Sequence, residues 1–330
     1  MGKIKLFITL NTLFIAVAQA LAQGPNGTGT YYQNADGTKG RALKTALSEI
    51  IKVHEELGYG SLWEAFMTTD RRDDGFVWDM YSGVTDYEFV TSGTNYKAEG
   101  DCYNREHSMP KSWFDDERPM YTDLVHIIPT DGYVNGRRSN YPLGETDSPT
   151  YTSAGGFSKL GPSSVEGYNG IVFEPNDEYK GDFARIYFYM VTCYEDSVGT
   201  WESDMLAGND YPAFTEWALD MLLRWAGEDP VSKKETDRNE AVYALQGNRN
   251  PYVDYPGLEQ YVWGDKQDVA FSYDDYSTGI TVTVAEKAIP TVDVYTVTGV
   301  KVRSSVDRGN ATYGLKQGVY IIGNKKYVVR

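Results

Sequence analysis

The sequence predicts an α+β protein, with a mainly helical body and a small C-terminal all-β module. Three observations carry this. At 330 residues the chain is long enough for one large domain and a smaller one. Up to about residue 265, apolar residues recur at spacings of three and four. Beyond residues 265–278 the pattern changes to strict alternation.

Residues 1–22 read as a signal peptide: Lys3 and Lys5 begin it, an apolar run follows, and Ala20-Leu-Ala22 forms a small-x-small cleavage site. Residues 23–37, rich in Gly, Asn and Thr, read as a flexible leader. Thr38 to Leu57 is an amphipathic helix carrying Leu43, Ala46, Leu47, Ile50, Ile51 and His54 on one stripe, with His54 as a half-buried packing residue. Leu62 to Phe66 is a second short helix, and Phe76 to Tyr81 a strand or core loop. Asp147 to Gly170 reads as a long surface loop. Gly181-Asp182 opens a helix with Phe183, Ile186, Tyr187, Met190, Val191 and Tyr194 on one face. Tyr211 to Ala226 is the clearest helix, with Phe214, Trp217, Ala218, Met221, Leu222 and Trp225 as its stripe. Ser232-Lys-Lys-Glu235 is a capping box opening a helix that stops at Gly247. Alternating strands such as Ile280–Val284, Val292–Val297 and Gly318–Ile322 build the tail.

The formal net charge is −16, and removing residues 1–22 takes away two lysines and no acid, giving −18. A protein that binds polyanions is ordinarily basic, so any such role here rests on a local patch and a metal. Residues 297–330 go the other way, with seven Lys/Arg against Asp307. The two cysteines, Cys102 and Cys193, allow one disulfide or two free thiols and exclude a four-cysteine zinc site.

Chemistry concentrates in Cys102 to Gly144, which holds two of the three histidines. Hydrolysing a phosphodiester needs a base near neutrality and positive charge on the phosphoryl oxygens. Imidazole suits the first task and a hard divalent cation with oxygen ligands the second. His107 is the candidate base, expected to face the surface. Glu106 and Asn135 are the candidate metal ligands, suited to Mg²⁺, with Mn²⁺ or Ca²⁺ as substitutes. Neighbours on a regular strand point to opposite faces, so Glu106 and His107 can serve one phosphate only at a strand end, which Pro110 fits. After Pro129, Thr130 is the expected N-cap of a short helix with Asp131, Asn135 and Arg138 on one face. Gly132 and Gly136 weaken that helix and point to close approach of a neighbour. Arg138 is the candidate phosphate grip; Arg137, Arg249 and Lys111 are candidate nucleic-acid contacts, with loop bracing as the other reading of Arg249. His126, in an apolar run, reads as a satisfied core histidine.

The order strand, loop, strand, helix around Glu-His and Asn resembles the ββα-metal nuclease motif. More closely, the chain resembles the bacterial endonuclease I family. The matching stretches are Asn104-Arg-Glu-His-Ser-Met-Pro-Lys-Ser-Trp-Phe114, Asp123-Leu-Val-His-Ile-Ile-Pro129 and Gly132-Tyr-Val-Asn-Gly-Arg-Arg-Ser-Asn140. Phe173-Glu-Pro, Lys180-Gly-Asp-Phe-Ala-Arg185, Trp225, Asp229-Pro-Val231, Arg238-Asn and Gln246-Gly-Asn-Arg-Asn-Pro251 follow in order. The resemblance implies His107 as general base, Glu106 and Asn135 as ligands, and secreted endonucleolytic cleavage of DNA, with RNA as a second substrate, to 5′-phosphates with little sequence preference. A cysteine-rich loop that carries a leaving-group arginine in some relatives has no counterpart, so that role stays unassigned. The β tail is similar to Bacteroidetes C-terminal sorting domains, implying an outer-membrane secretion partner and a secreted or cell-surface location. The expected organisation is therefore a catalytic domain over 38–267 and a sorting module over 268–330. The alternative, from an acidic exported chain with 27 Tyr and 7 Trp, is a glycan-binding protein or glycoside hydrolase.

Overall fold

A computed structural model describes residues 27–276, 291–296, 300–307, 315–322 and 325–329. The expected signal peptide and the strand at Ile280–Val284 lie outside the described residues. Two units divide at Thr278 and Gly279.

In the first unit, α1 (Gly40–Ile51) buries Leu43, Leu47 and Ile51 at successive spacings of four. It stops at Ile51, short of Leu57, and Lys44 on the same face is buried in an ion pair with Glu195. Helix α2 (Leu62–Thr69) follows. Residues 76–81 form a core loop held by a bridge between Arg71 and Val77. Strand β1 (Tyr103–His107) pairs antiparallel with β2 (Ile127–Asp131), and α3 (Gly132–Arg138) starts at the next residue. The expected surface loop over 147–170 instead contributes β3 (Tyr151–Thr152) and β4 (Lys159–Pro162) to a sheet completed by β5 (Ile171–Glu174).

Helix α4 (Lys180–Cys193) is buried from Gly181 to its end: apolar residues cover most of it, and Asp182, Arg185 and Thr192 are paired with Lys234, Glu235 and Tyr252. Short α5 (Glu195–Val198) follows it, and α6 (Glu216–Glu228) and α1 pack on α4. Helix α7 (Lys233–Gln246) has the expected capping box at Ser232 and a left-handed Gly247 at its end. Helices α8 (Pro251–Asp254) and α9 (Leu258–Val262) complete this unit.

Two expectations are corrected here. The described part of the leader is fastened to the body: Tyr32 is fully buried and its hydroxyl donates to Asp254 at 2.7 Å. The boundary also moves past 267. Phe271 lies in the body's core, and its backbone exchanges hydrogen bonds with Gly37 and Thr38. A buried aromatic outweighs the change of periodicity that suggested the earlier limit.

The second unit is a four-stranded antiparallel sheet of β6 (Thr291–Thr296), β7 (Lys301–Asp307), β8 (Gly318–Ile322) and β9 (Lys325–Val329), in the order β7-β6-β8-β9.

Arg238 on α7 anchors the segment entering β2. Its guanidinium meets Asp70 at 2.8 Å and donates to the carbonyls of Leu124, Val125 and Ile127. Arg238→Ala strands a buried carboxylate and three carbonyls, so it should cost about 3–5 kcal/mol in urea unfolding. A loss below about 1 kcal/mol would show the anchor to be dispensable.

His126, fully buried in that segment, donates Nε2–H to the Met120 carbonyl at 2.7 Å. Burial drives its pKa down to about 4. A depressed imidazole pKa means the unfolded chain takes up a proton the fold refuses. Its stability is therefore complete above about pH 6.5 and lost as pH falls toward 4, about 2 kcal/mol by about pH 5. Burial pushes the Asp79 carboxyl up to about 7, which acts in the opposite direction over the same range. The histidine's share is therefore the difference between wild type and His126→Gln: the variant should lose less stability between about pH 7 and pH 5. Equal losses would contradict the assignment.

Candidate active site

The site begins where β2 runs into α3. Asp131 ends the strand and caps the helix, its carboxylate accepting from the Val134 amide at 2.8 Å; Thr130, the expected cap, remains within β2. Tyr87 and the Gly100 amide also donate to Asp131, and its own amide donates to Asp79. Three neighbours thus fix the helix start. Both glycines of α3 face Tyr96: a Cβ at Gly132 would fall 2.5 Å from that ring and one at Gly136 3.2 Å from its hydroxyl. This is the close approach their spacing implied.

Asn135 and Arg138, three residues apart on α3, face β1. Glu106 on β1 is buried; its Oε1 accepts from Tyr81 Oη at 2.8 Å and Arg138 Nη1 at 2.7 Å. Burial raises the Glu106 carboxyl above its ordinary range, while Arg138, Tyr81 and a hydrogen bond from Asn135 pull it back. Asn135 Nδ2 also donates to Asn104 Oδ1 at 2.8 Å. Asn104 lies two residues before Glu106, on the same strand face, a spacing that could have marked it.

Arg138 is corrected from phosphate grip to positioning residue. Its side chain is 1% exposed, and besides Glu106 it binds the carbonyls of His107 (3.0 Å) and Ser108 (2.5 Å) and approaches Tyr187 Oη at 3.3 Å. These bonds span the end of β1 and the residue after it. A guanidinium committed to them has no fork left for a substrate.

His107 ends β1, as the strand-end argument requires, but it is 6% exposed rather than surface-facing. Its ring lies on the other strand face, beside Tyr59, Tyr121 and His126. Nε2 sits 3.2 Å from the Tyr121 carbonyl. A carbonyl can only accept, so Nε2 carries the proton and Nδ1 holds the lone pair. Burial first, then the charge of His126, drives the pKa down to about 3, so the ring is neutral. Among the described residues, no hydrogen bond joins this imidazole to Glu106 or Asn135.

The remaining candidates divide. Arg249 is 3% exposed and committed to Asp254 and Glu240, a brace for its own turn rather than a nucleic-acid contact. Arg137 is exposed and lies over Tyr133 and Tyr151. Lys111 is exposed, pairs with Asp116 at 2.6 Å, and contributes to the field at His107. Cys102 and Cys193 are free thiols, and His54 is half-buried beside Tyr194.

The donor set fits a hard cation. Arg138 and Tyr81 engage Glu106 Oε1, Asn135 adds a hydrogen bond to the same carboxylate, and Asn104 engages Asn135 Nδ2; among the described residues no hydrogen bond reaches Asn135 Oδ1. Two oxygens from protein suit an ion that keeps several waters. Among the described residues, no group of three or more His, Cys, Asp or Glu side chains is placed to hold a metal, so a zinc-type cage is not built here.

The family model described as Endonuclease I matches residues 39–257. The extracellular ribonuclease of Bacillus amyloliquefaciens is 35% identical over 259 residues, covering 76% of this chain and 84% of its own. That of Bacillus subtilis (strain 168) is 31% identical over 272 residues, 76% and 89% of the two chains. Endonuclease-1 of Buchnera aphidicola subsp. Baizongia pistaciae is 29% identical over 132 residues, 40% and 46%. The glycan-binding and glycoside-hydrolase alternative is set aside by these matches. With a family model matched over residues 39–257 and two relatives of 35% and 31% identity covering most of both chains, the chain belongs to the endonuclease I family and is a nuclease that hydrolyses phosphodiester bonds.

Proposed function

We propose that the chain is a secreted, metal-dependent endonuclease of low sequence preference, acting on DNA and RNA and leaving 5′-phosphates. The observation that carries this is the Glu106–Asn135 oxygen pair on one face of a strand whose last residue is a neutral, oriented imidazole. RNA is included because the relatives matched over most of the chain are named extracellular ribonucleases, and the same name supports export. The β1–β2–α3 unit is read as a ββα-metal finger. The catalytic domain extends to about residue 278, and the second unit is read as a sorting module that engages secretion machinery.

Glu106 and Asn135 would hold a divalent cation such as Mg²⁺, which supplies positive charge to the phosphoryl oxygens when bound. The scissile phosphate would lie across the end of β1. The Tyr121 carbonyl keeps the proton on Nε2, so Nδ1 takes a proton from the attacking water. Burial makes it a weaker base than a free imidazole, and that water would need to be acidified by the cation that Glu106 and Asn135 would hold. Attack at phosphorus breaks the bond to the 3′ oxygen, which takes a proton from solvent water and leaves as a hydroxyl, with the phosphate on the 5′ side. Arg138 keeps the Glu106 carboxylate and the His107 backbone in register throughout.

Cleavage of plasmid DNA and of RNA should require a divalent cation and stop with chelator. His107→Gln should lower kcat about 10²- to 10⁴-fold with an unchanged circular dichroism spectrum. Wild-type kcat in that variant would sink the base assignment.

Arg138→Lys separates positioning from phosphate binding. It should lower the melting temperature and weaken the apparent Mg²⁺ affinity, while leaving the salt dependence of substrate binding unchanged. A shallower salt slope with unaltered melting would return Arg138 to the phosphate.

A further inference from the structure

Beside His107 runs a strip of rings and cations that the hydrolytic steps leave unused. Tyr59 and Tyr121 have ring centroids 4.7 Å apart; each also neighbours the His107 ring, at 6.0 Å and 5.0 Å. The Arg105 guanidinium lies 3.5 Å from the Tyr59 centroid and 4.3 Å from that of Trp63. Lys111 and Arg118 stand over Tyr121 at 5.4 and 5.7 Å.

The packing role in this region is filled elsewhere. Phe66 and Tyr103, which contact Trp63 edge-on, are fully buried, whereas Tyr59, Trp63 and Tyr121 are only partly so. Lys111 and Arg118 are held by Asp116 and Glu56 in exposed ion pairs. Such pairs contribute little, so either cation can exchange its carboxylate for a phosphate at small cost.

We propose that Tyr121, backed by Tyr59 and with Lys111 and Arg118 beside it, forms a stacking subsite for an unpaired nucleobase next to the scissile phosphate. This rests on the nuclease reading above and adds the form of substrate: single-stranded nucleic acid, or a strand locally opened. Stacking on a ring needs a free base face, which a base inside a duplex does not offer. It is indifferent to base identity, consistent with low sequence preference.

The test is anisotropy of a labelled oligouridylate with the full chain in chelator, where no cleavage intervenes. Single abasic positions are introduced in turn. For wild type, an abasic residue at one position should weaken binding about tenfold. Tyr121→Leu, which keeps the Tyr121 carbonyl and an apolar filler against His107, should bind base-bearing and abasic chains alike. Tyr121→Phe should behave as wild type. The proposal is overturned if no abasic position matters in wild type, or if Tyr121→Leu keeps the full penalty. Adding Mg²⁺ then separates the two readings. Cleavage without any abasic penalty refutes the subsite alone; a penalty without cleavage refutes the hydrolytic assignment and upholds the subsite.

Discussion

A guanidinium sealed between a strand and a helix holds this site in shape. Arg138 and Glu106 are both withdrawn from water, and two buried charges repay their desolvation only with near-complete hydrogen bonding. The fold supplies it through Tyr81 on the carboxylate and two consecutive backbone carbonyls on the arginine. The result is a carboxylate fixed on the face of β1 that Asn135 also reaches. Because the same arginine grips the His107 carbonyl, the two faces of β1 are coupled through one residue.

Tyrosine hydroxyls perform the same service elsewhere in the body. Tyr87 donates to Asp131, Tyr189 and Tyr194 to Asp123, and Tyr32 to Asp254. Each brings an apolar ring for the core and one donor for a buried acid. This is how a strongly acidic chain buries so many carboxylates without an equal number of cations. It also accounts for a part of the high tyrosine content that, in the sequence, suggested carbohydrate platforms. Lys111, Arg118 and Arg137 are exposed, and Asp115, Asp116 and Glu117 are exposed in the same stretch as the first two.

Local signals in the sequence were reliable where the physics is local. The capping box at Ser232, the left-handed glycine at the end of α7, the stripe of α1, the Ala218, Met221, Leu222 and Trp225 part of the α6 stripe, and the strand-end position of His107 depend on residues within a turn or two. The expected start of α6 at Tyr211 does not hold, since the helix begins at Glu216 and leaves Phe214 outside it. The helix cap one residue from its expected place is a small error of the same local kind. Larger departures came where partners are distant. Tyr32 turned a glycine-rich leader into a packed segment through Asp254, and Phe271 drew the first unit past its expected boundary.

By itself, the sequence determined the chemistry available: a Glu-His pair, a later Asn on a short helix, and an order of motifs matching one nuclease family. Tertiary structure alone decided what each charged group does. Arg138 meets Glu106 across 32 positions and Arg238 meets Asp70 across 168, and neither pairing leaves a periodic trace. Whether an arginine reaches solvent or a buried acid depends on desolvation, which is set by everything packed around it and by nothing in its immediate sequence.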